Sequence, residues 1–167
     1  MKAFIVSQFG YCSLIWMFHS RGLNNKINSI HERALRIKYE DKFSTFQQLL
    51  EKDNSVSIHH RNLQALATEL FKISNELSPD IVKETFQKKI ISYNLRNKNS
   101  FMTRQVNSVY HGTESLSFLG PKIWDQVPQE IKESKSIDIF KSKIKKWTPS
   151  HCPCRLCRTY LPQIGFI

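Results

Sequence analysis

Three cysteines stand close together near the C-terminal end of this chain. The stretch "HCPCRLC" contains His151, Cys152, Cys154 and Cys157. Two cysteines separated by two residues, such as Cys154 and Cys157, form one half of many tetrahedral zinc sites, because both thiolates can turn toward one ion. His151 and Cys152 complete such a site poorly, because adjacent residues cannot easily face the same ion. These four residues are the candidate zinc ligands, and the alternative is a set of surface thiols.

Residues elsewhere in the chain bear on this cluster. His59, His60 or His111 could complete a metal site through the fold, and the sequence alone does not choose among them. The fourth cysteine, Cys12, lies far away in an apolar N-terminal stretch. This distribution differs from a disulfide framework, so we expect reduced thiols and an intracellular protein, nuclear or cytoplasmic.

The chain is strongly basic. It has 167 residues, of which 25 are Lys or Arg and 14 are Asp or Glu, giving a formal charge of +11 and a pI near 9.6. A basic excess of this size favours a polyanionic partner, with nucleic acid ahead of an anionic membrane. The alternative is a basic but merely solvated surface.

An apolar stretch, "SQFGYCSLIWMFHS", covers residues 7–20. Polar residues interrupt it at Ser7, Gln8 and Gly10, and no site for a signal peptidase follows, so we predict that the protein is not secreted. A membrane span needs about 18 to 20 continuous apolar residues, so we predict no membrane segment. The stretch resembles a core element whose covering partner lies outside the chain, and residues 1–20 are a candidate surface for self-association.

The spacing of apolar residues predicts a mainly α protein. We predict helices near 3–18, 24–38, 44–51, 57–76, 79–86, 116–126 and 136–147, and a strand-like piece at 91–96. The second helix has an apolar stripe at Leu23, Ile27, Ile30, Ala34 and Ile37. The predicted stripes of three later helices are Leu63, Leu66, Ala67, Leu70, Ile73 and Leu77 in 57–76, Leu119, Ile123, Trp124 and Val127 in 116–126, and Ile137, Phe140, Ile144 and Trp147 in 136–147. We expect Asn24 or Asn25 to cap this helix, and Ser44 with Gln47 to form a capping box in the next.

Several basic residues are candidate phosphate contacts. Residues 85–111 contain no Asp or Glu, and a neutral polar segment with spaced positive charges suits contact with a phosphate backbone. Tyr93, Phe101 and Tyr110 could stack on bases there, and the alternative is a linker whose aromatic residues attach it to the core. The predicted nucleic-acid contacts are Lys26, Arg33, Arg36, Arg96, Lys98, Arg104, Lys141 and Lys145.

An ordered series of blocks gives the chain a family resemblance. The blocks are "SQFGYCSLIW", "INSIHERALRIKYEDKFSTFQQLLEKDNSVSIHHRNLQ", "YNLR", "GTESLSFLGPKIWDQVPQEIKESKSIDIFKSKIKKW" and "CPCRLCRTY". The chain resembles the C-terminal region of reverse transcriptases from non-LTR retrotransposons of the jockey and chicken-repeat type. The resemblance implies a helical thumb-like region at 1–86, a basic linker at 87–111, a C-terminal helical region at 112–149 and a cysteine-containing tail at 150–167.

The resemblance also implies what this chain lacks. RNA-directed DNA polymerases of this family hold two metal ions on palm carboxylates that include adjacent aspartates, and this sequence contains no Asp-Asp pair. We therefore expect a non-catalytic fragment that binds RNA, DNA or their hybrid without sequence preference, with a separate palm-containing polypeptide as a candidate partner. The alternative is a helical protein-interaction module or a functionless relic of a retrotransposon.

Overall fold

The computed structural model describes residues 7–89, 100–108, 112–149 and 152–158. It is mainly α-helical, which confirms the predicted fold class. The helices are Ser7–Gly10 (α1), Ser13–Trp16 (α2), Arg21–Tyr39 (α3), Phe46–Lys52 (α4), Ile58–Ser74 (α5), Asp80–Thr85 (α6), Leu116–Gln126 (α7), Gln129–Lys132 (α8), Ile137–Ile144 (α9) and Arg155–Arg158 (α10). Within the described ranges, β-structure amounts to one isolated antiparallel bridge between Lys88 and Phe101. The strand-like piece predicted at 91–96 lies outside them.

The chain forms two compact units, an N-terminal unit of residues 1–63 and a C-terminal unit of residues 64–167. The division falls inside α5, which is a single uninterrupted helix. Sequence analysis predicted helix in both units, and the short helices α8 and α10 are additions to that prediction.

The first predicted helix is not continuous. In place of one helix over 3–18, the described residues form α1 and α2, which are separated by Cys12 in the left-handed region with φ 47°. A non-glycine residue in this conformation ends the regular helical path. Met17 is fully buried, whereas Tyr11 and Ile15 are 78% and 84% exposed. The segment therefore contributes one side chain to the core and leaves two large apolar ones in contact with solvent.

Helix α3 begins earlier than predicted and buries a different face. Ser20 caps it, because the Ser20 hydroxyl accepts a hydrogen bond from the backbone N–H of Leu23 at 3.4 Å. The buried residues are Asn24, Ile27, His31, Ala34 and Leu35. The predicted stripe is therefore wrong in its outer members, since Leu23, Ile30 and Ile37 are exposed. The buried face contains two polar residues, which a search for apolar periodicity passes over.

Helix α4 completes the small core of the N-terminal unit. Its capping box uses Thr45 and Gln48, one residue later than predicted, with the Thr45 N–H donating to Gln48 Oε1 at 2.8 Å. Ser44 instead donates its hydroxyl hydrogen to Asp41 Oδ2 at 2.7 Å. The apolar cluster consists of Leu35, Leu49 and Leu50, with Tyr39 and Phe46 packed against it.

Aromatic side chains dominate the core of the C-terminal unit. Phe71 of α5 stacks on Phe140 of α9 with ring centroids 4.2 Å apart, and Trp124 of α7 lies 6.2 Å from the same ring. Phe101 contacts Trp124 edge-on at 5.8 Å. The predicted stripes of α5, α7 and α9 are buried except at two positions. Ile137 of α9 is half-buried, and Leu77 lies beyond the end of α5 and is 61% exposed.

Candidate metal centre and basic surfaces

The Gln64 side chain of α5 hydrogen-bonds to the backbone at the end of α9. The Gln64 amide donates from Nε2 to the backbone oxygen of Lys145 at 3.2 Å and to that of Trp147 at 3.4 Å. These carbonyls follow the last turn of α9, where a helix leaves backbone oxygens without intrahelical partners. Trp147 itself is buried. The chain therefore leaves α9 along a defined path toward the cysteines.

A tight turn gathers the three cysteines. The backbone N–H of Cys157 donates to the backbone oxygen of Cys154 at 3.2 Å, so α10 begins directly after Cys154 and places the two residues one turn apart. The Cys152 thiol donates to Cys154 Sγ at 3.2 Å. Cys154 is buried, and Cys152 and Cys157 are half-buried. None of the three cysteines forms a disulfide within the described residues.

The three cysteines form a compact cluster within the C-terminal unit. The Sγ atoms of Cys152, Cys154 and Cys157 all lie within 4.8 Å of one another. In a tetrahedral site with Zn–S bonds of about 2.3 Å, neighbouring ligand atoms are separated by roughly 3.7 Å. The described residues of this unit thus hold three thiols at a spacing that could hold a metal ion.

The thiols of this cluster favour their protonated forms when no cation is present. The hydrogen bond with Cys154, together with burial, raises the pKa of Cys152 to about 12. Hydrogen bonds with Cys152 and Cys154, together with burial, also raise the pKa of Cys157. Three thiolates at this distance would repel one another, and a bound dication reverses that effect.

The structure describes only some of the residues predicted as zinc ligands. Cys152, Cys154 and Cys157 come together as predicted, whereas His151 lies outside the described residues. Of the three alternative histidines, His59 and His60 lie in the first turn of α5, in the N-terminal unit, and His111 falls outside the described ranges. The spacing of these histidines along the sequence does not choose among them.

The predicted phosphate contacts on α3 differ in their surroundings. Lys26 and Arg33 are exposed. Arg36 instead forms an ion pair with Glu32, with Nη2 2.7 Å from Oε1, and its Nη1 donates to the backbone oxygen of Asp41 at 3.3 Å. Arg36 is therefore partly committed to its own helix and the following turn.

The acid-free segment is described only in part. Arg96, Lys98, Tyr93 and Tyr110 lie outside the described residues. Phe101 is 1% exposed and packs between Phe86 and Trp124, so the prediction that it stacks on bases is wrong. A ring enclosed by two others in the core cannot reach a nucleic acid.

The remaining predicted contacts lie at the surface of the C-terminal unit. Arg104 is exposed and lines a shallow cavity of about 90 Å³ together with Glu84, Thr85, Gln87 and Met102. Lys141 and Lys145 are exposed at the end of α9, beside Lys143 and Lys146. Lys143 donates from Nζ to the backbone oxygen of Glu130 at 3.1 Å. No Asp or Glu follows Asp138 in the sequence, so no acidic residue lies between these four lysines or after them along the chain.

Comparisons with protein-family models, curated proteins and solved structures give no match for the chain. Within the described ranges, none of the helices combines the length and the apolar character that crossing a membrane requires.

Proposed function

We propose that this chain is a zinc-stabilised nucleic-acid-binding region from the C-terminal part of a non-LTR retrotransposon reverse transcriptase, without catalytic activity of its own. The cluster of Cys152, Cys154 and Cys157 carries the proposal, because its sulfur atoms lie within 4.8 Å of one another. The ordered sequence blocks that resemble this polymerase family support the assignment to a parent enzyme.

The donor set of the cluster favours Zn²⁺ among the common metal ions. Three thiolates are soft ligands, whereas Mg²⁺ and Ca²⁺ prefer oxygen. A histidine as the fourth ligand would fill a tetrahedral zinc ion and leave no position for water or substrate, as in structural zinc sites. The ion would hold the turn that contains the three cysteines rather than react.

Metal analysis of the full-length chain tests the zinc proposal. We expect one Zn²⁺ per chain, and X-ray absorption with three sulfur neighbours at about 2.3 Å and one nitrogen at about 2.0 Å. Cobalt substitution should give the intense visible bands of a tetrahedral site. Replacing Cys154 or Cys157 with serine should lose the ion.

The variant Cys12→Ser serves as a matched control for the metal centre, because it removes the cysteine that is outside the cluster. This variant should retain one zinc ion. A chain that binds no zinc, or a zinc content that falls as much with Cys12→Ser as with Cys154→Ser, would contradict the proposed ligand set.

The exposed lysines at the end of α9 support nucleic-acid binding. Lys141 and Lys145 lie one turn apart, and Lys146 is also exposed. In a helix, residues four apart lie on the same side, so Lys141 and Lys145 can face one phosphate backbone. No acidic residue follows Asp138 to offset this charge. The contacts would be to phosphates, and such contacts carry no sequence preference.

The salt dependence of binding tests this part of the proposal. The full-length chain should bind a dT20 oligonucleotide and an RNA–DNA hybrid, and the affinity should fall steeply as salt rises. Each phosphate contact contributes a log–log slope of about −0.7 on a single strand, so Lys141→Ala with Lys145→Ala should flatten the dT20 slope by about 1.4.

The control for this double variant removes the same charge from another surface. Lys42→Ala with Lys83→Ala also lowers the formal charge by two and should leave the slope close to that of the original chain. Equal effects of the two double variants would show that net charge, and not α9, governs binding. Absence of binding at micromolar protein and low salt would overturn the nucleic-acid proposal.

A further inference from the structure

A row of aliphatic side chains is exposed along α3. Leu23, Ile30 and Ile37 are 47%, 52% and 73% exposed. They are seven residues apart, which is close to two helical turns, so they follow one side of the helix over about 21 Å. The buried face of α3 lies beside this row and packs on the core of the N-terminal unit. Exposed aliphatic rows of this kind are typical of helices that dock on another helix.

Two cations lie along the same side of α3. Lys26 and Arg33 fall between the aliphatic residues at steps of three and four, and we name these five residues the α3 strip. Within the described part of the chain, no salt bridge involves Lys26 or Arg33. Glu32, the acidic residue of the helix, pairs with Arg36. The α3 strip is therefore both apolar and positively charged.

The positive charge of the α3 strip restricts which kind of molecule could bind to it. The segments outside the described residues are 1–6, 90–99, 109–111, 150–151 and 159–167, and none of them contains Asp or Glu. They offer no charge complementary to Lys26 and Arg33. Pairing of α3 with a second copy would bring the same two cations together, and like charges at an interface oppose association. A nucleic acid would use the cations but leave the three aliphatic side chains in water.

We propose that the α3 strip docks an amphipathic helix of a partner protein whose apolar row is flanked by Asp or Glu. Leu23, Ile30 and Ile37 would pack against the apolar row of that helix. Lys26 and Arg33 would pair with its acidic flank, which fixes the partner by charge as well as by apolar contact. This surface belongs to the N-terminal unit and is separate from the proposed metal centre and from the lysines of α9.

A designed peptide tests this proposal on the full-length chain. The probe is a 21-residue helix with Leu at the a and d positions of each heptad and Glu at e and g, where Glu–Glu repulsion keeps it from pairing with itself. Calorimetry should detect its binding. Ile30→Ser should weaken binding at least tenfold, and Lys26→Glu with Arg33→Glu should weaken it further.

A charge swap distinguishes specific docking from non-specific hydrophobic binding. The same peptide with Lys in place of Glu should bind the original chain poorly and should bind the Lys26→Glu/Arg33→Glu variant well. Ser29→Ala, at an exposed position of α3 that adds no charge beside Lys26 and Arg33, should leave binding of the Glu peptide within about twofold. Circular dichroism confirms that each variant keeps its helix content.

Three results would overturn the proposal. The first is no binding of the Glu peptide at 100 µM, and the second is equal binding of the Glu and Lys peptides. The third is a Lys26→Glu/Arg33→Glu variant that loses oligonucleotide affinity but keeps peptide affinity, which would assign the strip to nucleic acid. Loss of oligonucleotide binding in the Lys141→Ala/Lys145→Ala variant with peptide binding intact supports both sites independently.

Discussion

The cores of the two units differ in the kind of side chains that they bury. The C-terminal unit packs large aromatic rings from α5, α7 and α9 on one another, with Phe71 and Trp124 both against Phe140. The N-terminal unit has a small aliphatic cluster around Leu35 and Leu49 and buries polar groups beside it. Much of the buried area that stabilises a domain comes from large apolar side chains. The C-terminal unit therefore has the larger reserve of stability, and the N-terminal unit is the one that depends on specific polar contacts.

Two buried polar residues, Asp53 and His31, lie in the N-terminal unit. The Asp53 side chain is 1% exposed and is held by Lys38 and by the Tyr39 hydroxyl, which lies 2.9 Å from Asp53 Oδ1. Burial raises the pKa of Asp53, but the hydrogen bonds from Lys38, Tyr39 and Ser55 outweigh it, so the pKa is lowered. His31 is 1% exposed and packs edge-on against Phe46, with ring centroids 5.6 Å apart. Removing either polar group should therefore disturb this unit alone.

The largest effect on stability should come from Trp124→Ala. This ring is fully buried and contacts Phe101 and Phe140, so its removal leaves a cavity that the neighbouring rings cannot close. We expect a loss of about 3 to 5 kcal/mol in the free energy of unfolding of the C-terminal unit. Hydrogen exchange of peptides from α5, α7 and α9 measures it. Ile139→Ala, at a 45% exposed position of α9, is the control and should cost less than about 1 kcal/mol.

The next effect should come from Asp53→Asn, which tests the polar core of the other unit. Asparagine keeps the size of the side chain but removes the charge that Lys38 contacts, and we expect a loss of about 2 kcal/mol. The cost stays moderate because Lys38 is 40% exposed and can be solvated again. Faster hydrogen exchange should be confined to α3 and α4.

A matched carboxylate in the C-terminal unit provides the comparison. Asp80 accepts a hydrogen bond from Lys83 Nζ at 2.9 Å, but its side chain is 93% exposed. Asp80→Asn should change stability by less than about 0.5 kcal/mol, because exposed ion pairs contribute little. Equal costs of the two substitutions would mean that burial does not decide the contribution of Asp53.

The third effect concerns the close packing of the aromatic core. A Cβ added at Gly120 of α7 would lie 2.6 Å from Cε1 of Phe86, and that ring is held by Phe101 at a centroid distance of 6.2 Å. Alanine favours a helix over glycine by about 1 kcal/mol, whereas overpacking costs about 1 to 3 kcal/mol. We expect Gly120→Ala to destabilise the C-terminal unit by about 1 kcal/mol in urea unfolding. A stabilised variant would show that Phe86 moves aside without cost.

The same contrast explains which parts of the fold the sequence predicted. The stripe of α5 is almost entirely aliphatic and buried, so periodicity located it correctly, including Leu63, Leu66 and Leu70. On α3 the buried face includes Asn24 and His31, which periodicity missed. The predicted stripe instead combined the buried Ile27 and Ala34 with the exposed row of Leu23, Ile30 and Ile37. Apolar periodicity finds a core face only when the core is apolar. It cannot distinguish a face that packs inside the chain from one that remains exposed.

The candidate metal centre was predictable only in its local part. Two cysteines separated by two residues form a recognisable half-site, and the turn from Cys154 to Cys157 brings them together. A histidine from elsewhere in the chain would reach these cysteines only through the fold, and spacing along the sequence does not show which histidine that is. Gln64 hydrogen-bonds to the backbone carbonyls of Lys145 and Trp147 at the end of α9, and no motif in the sequence indicates these contacts.

The smallest effect at neutral pH should come from His31, and it should grow as the pH falls. Burial, together with the nearby positive charge of Arg61, lowers the pKa of His31, although Asp53 acts in the opposite direction. In the unfolded chain a histidine has a pKa of about 6.5, so below that pH the unfolded state binds the proton first. Protonation therefore favours unfolding, and the stability of the N-terminal unit should be complete above about pH 6.5 and decline as the pH falls below it.

The variant His31→Leu isolates this contribution. The stability of the N-terminal unit, followed by hydrogen exchange of α3 and α4 at pH 7 and pH 5, should fall less in His31→Leu than in the original chain. Other groups that titrate in this range, and the carboxylate of Asp53, are common to both chains, so they cancel in the difference. The leucine also changes packing against Phe46, which shifts stability at both pH values alike and leaves the difference intact. Parallel pH profiles for the two chains would mean that the folded protein accommodates a protonated His31 and that the polar core of this unit is less closed than its burial indicates.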